Sequence, residues 1–238
     1  MKIRKKVPKV SKAGPPLFVI GHTSPTPSID ELRYWFDLEY GGPLKVEGVP
    51  STGSQASSTG APLRLTHGPW SGSIQLQGNA EESRFWQERL GWSHGRASAV
   101  LAPSVAPGRD VANLVLHVTR LARGLTLLTQ GTCFDTATQR YWNPSDWYDH
   151  PLGCFIIDDH VTAEQSDDQE QDRDRFVTKG LAKFGLDELE SFQAVGLPGQ
   201  TILNHLQDLA EVLLQQGRTP NLGTSLELEP GGVRASFP

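Results

Sequence analysis

Two histidines and three carboxylates flank one apolar segment: Asp149-His150 precede it, and Asp158-Asp159-His160 follow it. Imidazole and carboxylate together suit zinc, iron or manganese. The segment between them, Leu152 to Ile157, reads as a strand, and a strand of that length holds its ends too far apart to share one cation unless the chain folds back. Neither H-x-x-x-H nor H-E-x-x-H accompanies these residues. A metal-assisted hydrolase built on His150, Asp158, Asp159 and His160 is therefore one reading, and histidines satisfied within their own loops are the other. The two cysteines, Cys133 and Cys154, form no Cys-x-x-Cys pair. Both sit in apolar, strand-like surroundings, where a free cysteine behaves as a small buried hydrophobe. No spacing matches either of them to a histidine as a nucleophile–base pair.

Other common chemistries lack their motifs. There is no G-x-x-x-x-G-K-[ST], no G-x-G-x-x-G after a strand and no G-x-S-x-G elbow, so phosphate cradles and the common serine-hydrolase layout have nothing to stand on. The residues best suited to recognition are aromatic. Tyr141, Trp142, Trp147 and Tyr148 bracket Asn143-Pro144-Ser145-Asp146, a turn able to display them. Tyr and Trp combine large apolar area with a polar handle and are over-represented among interface anchors. The competing reading packs the same aromatics over the end of a long helix.

The densest mixture of glycine, aromatic, basic and acidic residues is Thr178 to Glu190. Arg175 to Thr178 reads as a short strand. Gly180 and Gly185 bracket Leu181-Ala182-Lys183-Phe184 and permit tight turns. Asp187, Glu188 and Glu190 surround Leu186 and Leu189 in what reads as one helical turn. A surface carrying Lys183, Asp187, Glu188 and Glu190, with Lys179, would suit a partner or a cation; a strand–turn–helix corner with solvated charges would use the same residues. Thr178-Lys-Gly-Leu181, Lys183-Phe-Gly-Leu186 and Glu188-Leu-Glu190 resemble a signature of a group of bacterial proteins catalogued as domains of unknown function. The likeness extends back over Ala97 to Trp147. The resemblance implies a cytoplasmic bacterial protein and carries over no catalytic residues and no cofactor.

These residues need elements to position them. The strongest helix runs from Asp110 to Gln130, capped by Asp110, with Val111, Leu114, Val115, Val118, Leu121, Leu125 and Leu128 in one stripe. Arg120 and Arg123 are expected on its outer side. Before it, Leu17 to Ile20 is a buried strand, and Ser28 with Glu31 forms a capping box. Leu63–His67 and Gly72–Gln77 read as a hairpin, Glu81 to Leu90 as a short helix, and Ala97 to Ala102 as another strand. The resulting β-α-β-β-α-β order is the ferredoxin-like pattern. After the long helix come a hairpin (Thr132–Asp135 with Gln139–Trp142), a helix opened by Pro198 and closed by Gly217, and a terminal hairpin around Pro230-Gly-Gly232.

The expected fold class is thus α+β, with a mixed or antiparallel sheet and a related α/β second half. The organisation read from the chain is a basic disordered arm (1–14), an N-terminal α+β unit (15–163), an acidic solvated linker or loop (164–174) and a C-terminal α+β unit (175–238). The 238 residues are 37% hydrophobic and 21% charged, with a formal net charge of −5. Six of the 22 basic side chains fall in the first twelve residues, so the body beyond them is more acidic still and should repel nucleic acid. No run approaches a membrane span or a secretory h-region. The expected function is a non-catalytic, cytoplasmic protein–protein interaction module, regulatory or immunity-like, with an unidentified protein as partner, no cofactor and no membrane.

Overall fold

Residues 16–47, 62–76, 80–93, 95–101, 110–168, 173–192, 198–218, 225–227 and 234–236 are described by a computed structural model. The basic start and most of the Gly/Ser-rich stretch 41–61 lie outside these residues. The apolar run near the N-terminus forms β1 (Pro16–His22), buried along nearly its whole length. Ser28 then starts α1 (Ile29–Tyr40) through the anticipated capping box: its hydroxyl accepts the Glu31 N–H while the Glu31 carboxylate accepts the Ser28 N–H. Strands β2 (Lys45–Glu47), β3 (Leu63–His67) and β4 (Trp70–Gln75), helix α2 (Ala80–Leu90) and strand β5 (Arg96–Leu101) follow. The long helix is α3 (Val111–Thr129), and it leads into β6 (Thr132–Asp135), β7 (Tyr141–Trp142) and the short α4 (Pro144–Tyr148).

These seven strands make one sheet in the order β2-β3-β4-β5-β1-β6-β7. Every pairing in it is antiparallel. The linear β-α-β-β-α-β order is present, with β2 inserted, but α2 joins β4 to its direct antiparallel neighbour β5, where a split βαβ unit carries the chain past an intervening strand to a parallel one. A second sheet, ordered β10-β9-β8, contains β8 (Thr162–Asp168), β9 (Arg173–Lys179) and β10 (Glu190–Phe192), and α5 (Gly199–Gln216) packs on it. The terminal strands β11 (Ser225–Glu227) and β12 (Arg234–Ser236) pair antiparallel with each other. Among the described residues, no helix is long and apolar enough to cross a membrane.

Two apolar clusters share α3. The first gathers Phe18, Ile20, Phe36, Leu65, Leu121 and Leu125 between the large sheet, α1 and α3. The second gathers Phe176, Leu181, Leu206 and Leu213 under α5, and Val115 of α3 reaches into it. Because both clusters use α3, the helix is buried around more of its circumference than one stripe. Arg123, expected on the outer side, is instead buried.

Three local expectations are corrected. The acidic stretch 164–174 does not behave as a linker: its described residues belong to β8 and β9, which pair from Thr162↔Lys179 to Asp168↔Arg173. None of its described residues joins either apolar cluster, in keeping with its acid content, but the flanking Ala163 and Phe176 reach the second cluster, and a half-solvated antiparallel strand can carry its charges on the open face. Leu152–Ile157 is not a strand; Leu152 takes a positive φ of 53°, and Ile156 and Cys154 are exposed. Residues 186–189 form no helical turn; the turn is a 3-10 helix at Leu181–Phe184, one step earlier.

Candidate interaction surface and its buried polar support

The aromatic platform is built from a tight turn and a short helix. Asp135, at the end of β6, accepts the backbone N–H groups of Ala137 and Thr138 with one oxygen, at 3.0 and 3.2 Å. This folds the chain back so that Tyr141 and Trp142 of β7 pair with Phe134 and Cys133. Asn143 and Pro144 then start α4, with the Asn143 N–H donating to the Asp146 carboxylate at 2.7 Å. One turn of α4 lays Trp147 flat on Trp142, ring centres 4.6 Å apart and planes 16° from parallel.

Trp147 is buried, whereas Tyr141 and Tyr148 are 47% and 66% exposed. The four aromatics divide into a packed pair and two displayed rings. The packing reading describes Trp142 and Trp147, and the exposure that an interface anchor needs is found at Tyr141 and Tyr148. Two arginines of α3 fix the platform from below. Arg123 donates to the Trp147 carbonyl at 3.0 Å, to Glu39 at 2.7 Å and to the Tyr40 hydroxyl at 2.9 Å. Arg120 donates to the carbonyls of Leu152 and Gly153, both at 2.9 Å, and lies over the Tyr40 ring. Those two carbonyls bond to a side chain rather than to a neighbouring strand, which accounts for the missing strand at 152–157.

That same loop folds the chain back on itself. His150 Nε2 and Asp159 Oδ1 come within 2.5 Å, so two members of the metal-ligand set do meet. The others point elsewhere. Asp158 accepts from Gln207 of α5 at 2.8 Å. His160 is fully buried, stacked on Phe155 with ring centres 4.8 Å apart, and neither of its ring nitrogens has a hydrogen-bond partner among the described residues. Burial, with Lys183 and His150 adding repulsion, lowers its pKa to about 3. Among the described residues, no group of three or more His, Cys, Asp or Glu side chains converges on a point where a metal could sit. Cys133 is buried and its thiol is pushed up strongly by that burial, then by Asp135, which removes it as a thiolate nucleophile.

The stretch 178–190 is a structural knot. Lys183, expected on an interaction surface, is buried, its ammonium paired with the equally buried Asp135 carboxylate and lying 5.4 Å from the Phe18 ring centre. The 3-10 turn that buries Leu181 and Phe184 carries Lys183 between them inward toward β6, where Asp135 receives it. Glu188 serves the same turn. Its carboxylate accepts the N–H groups of Gly180, Leu181 and Ala182 at 2.8, 3.3 and 3.1 Å, and the Thr178 hydroxyl at 3.0 Å. Gly180 sits at φ 114°, and a Cβ there would lie 2.1 Å from the His160 carbonyl oxygen. Of the four candidates in this stretch, Asp187, Glu188 and Glu190 are exposed, and Glu190 pairs with Arg175 across the sheet.

Glu188 is expected to act as a cap. Glu188→Ala should cost about 1–2 kcal/mol, because three N–H groups lose a charged acceptor but stay near water. For a chain this long that corresponds to a fall in Tm of about 2–8 °C. Thermal unfolding of the variant checks it; an unchanged Tm would leave Glu188 a surface charge.

Sequence reasoning missed Asp135, Thr138, Arg123, Glu39 and Tyr40. Asp135 carried a local signal, since an aspartate at a strand end followed by Thr-Ala-Thr is a turn former. Arg123 carried none, because a polar residue off the main stripe looks solvated until a second layer covers it. Compared with protein-family models, curated proteins and solved structures, the chain matches none.

Proposed function

We propose that the chain is a non-catalytic protein-binding module whose contact surface centres on Tyr141 and Tyr148. The observation that carries this reading is their exposure beside the Trp142–Trp147 stack, on a platform pinned to α3 by Arg120 and Arg123. Rigid aromatic rings lose little conformational freedom on binding, and pre-organisation lowers the cost of association. The Arg140 guanidinium, 5.2 Å from the Trp142 ring centre, adds a donor beside them. The net negative charge of the chain would favour encounter with a basic partner. The signature stretch, as a structural knot, supports this surface rather than forming it. A regulatory or immunity-like role in a bacterial cytoplasm is the finer form of the proposal.

The metal-assisted hydrolase reading retains one supporting observation, the His150–Asp159 contact. Metal analysis of the purified protein separates the two readings: stoichiometric zinc or manganese would overturn the binding module. The direct test is affinity capture from a native lysate with wild type beside Tyr141→Ala/Tyr148→Ala. These rings are exposed, so the double variant should unfold within about 1 kcal/mol of wild type while losing a stoichiometric partner. Retention of the same partner by the double variant would place the contact surface elsewhere.

A further inference from the structure

We propose that Lys183 and Asp135 join in an intramolecular amide bond, made by the folded protein itself, that ties the small sheet to the large one. Their side chains are 0% and 1% exposed and in direct contact, ammonium to Oδ2. They come from distant places. Asp135 ends β6 of the large sheet, and Lys183 lies 48 residues later, in the turn between β9 and β10 of the small one. An amine in hydrogen-bond contact with one carboxylate oxygen lies about 3–3.5 Å from the carboxyl carbon, the separation of a near-attack pair.

Three features favour condensation over a permanent ion pair. Burying two opposite charges costs heavily in desolvation, and a neutral amide removes both charges; the Phe18 ring centre, 5.4 Å from Nζ, is part of that apolar surrounding. Asp135 Oδ1 already accepts the N–H groups of Ala137 and Thr138 at 3.0 and 3.2 Å, so two donors face the oxygen on which negative charge develops during attack. The fold also holds amine and carboxyl together at an effective molarity of about 10⁵ M or more, which free amines and carboxylates in water lack. The ammonium passes one proton to Oδ2 across their contact, leaving an amine beside a carboxylic acid. Nζ then attacks Cγ, and the carbonyl electron pair moves onto Oδ1. On collapse the Cγ–Oδ2 bond breaks, and Oδ2 leaves as water after taking a second proton from the nitrogen. One C–N bond forms, one C–O bond breaks, nothing is oxidised, and the third proton stays on the amide. The freshly folded chain carries the ion pair, and the amide accumulates while the protein is held folded.

The test is the intact mass of the full chain, held folded at neutral pH for increasing times beside a sample held in urea. The expected result is a species lighter by one water that grows in the folded sample and is at least about tenfold scarcer in urea, where the effective molarity is lost. After digestion, tandem mass spectrometry should find it as a branched peptide joining the residues around Asp135 to those around Lys183. Lys183→Met and Asp135→Ala should keep their full mass, and the wild-type peptide map decides the matter whether or not those variants fold. A wild-type mass that stays whole overturns the proposal. So does a lost water that maps to a linear peptide or survives Lys183→Met, since a cyclic imide at an aspartate needs no lysine. Equal growth in urea overturns it as well, because the fold would then not be making the bond.

Discussion

Replacing Lys183 by Met should destabilise the protein by about 3–5 kcal/mol, the range for breaking a buried ion pair from one side. The change keeps the length and apolar stem of the side chain and removes only the ammonium. Asp135 would then keep its two backbone donors, Ala137 and Thr138, but hold an uncompensated charge in a site both partners occupy with almost no exposure. Adding Asp135→Asn should recover most of the loss, because the amide oxygen can still accept those two N–H groups and no charge remains buried. The coupling between the two positions should therefore reach about 2–3 kcal/mol, at the upper end for contacting residues. Denaturant unfolding of wild type, both single variants and the double variant measures it. A Lys183→Met loss under about 1 kcal/mol, or two single losses that simply add, would mean that Lys183 reaches water and that the pair is not a buried unit.

This pair also decides how the most distinctive stretch of the sequence is read. Thr178 to Glu190 invites a functional interpretation because it concentrates charge, glycine and aromatic residues. Two of its charged residues turn out to be fittings of the fold, while Asp187 and Glu190 stay on the surface. Glu188 closes the 3-10 turn, Lys183 crosses to β6, and Gly180 lets the backbone pass the His160 carbonyl. A lysine flanked by Ala182 and Phe184 gives no local sign of its burial; only the long-range partner, 48 residues earlier, makes it possible.

Periodicity and caps, by contrast, transmitted well. The Ser28–Glu31 box, the Asp110 cap and the α5 stripe of Ile202, Leu206, Leu209 and Leu213 appear where the residues place them, because each depends on contacts within one turn or one face. What failed was composition used as a proxy for topology. Six acids in eleven residues read as a solvated linker or loop, yet the described part belongs to a strand pair on which α5 packs. An apolar run at 152–157 read as a strand, yet Arg120 takes its carbonyls. The aromatic platform was legible as a set of residues but not in its division between buried Trp147 and displayed Tyr141 and Tyr148, which is fixed by where α4 stacks on β7. A variant changing Trp147 to Ala would consequently report on folding rather than on binding.

Mild acid should unfold this protein, and two buried histidines set the slope. His117, on α3 against Phe36 and stacked near His67, has its pKa lowered to about 4 by burial, with His67 and Arg120 adding repulsion and the Leu65 backbone opposing them weakly. His160 is lowered to about 3 by burial and the nearby Lys183 and His150. In the unfolded chain both return to about 6.5. Between 6.5 and 4 the unfolded state therefore binds two protons that the folded state refuses, so stability falls as pH falls. The stabilisation is fully present above pH 6.5 and is lost through the window down to the folded values. Its slope should approach about 2.7 kcal/mol per pH unit near pH 5, twice the single-proton value of about 1.4. His160→Phe keeps an aromatic ring against Phe155 and removes one of the two protons, so its slope should fall by about half. Urea unfolding at intervals from pH 7.5 to 4.5 measures both slopes. A flat profile would show that the rings protonate within the folded state, and equal slopes in wild type and His160→Phe would release His160 from any part in acid sensitivity.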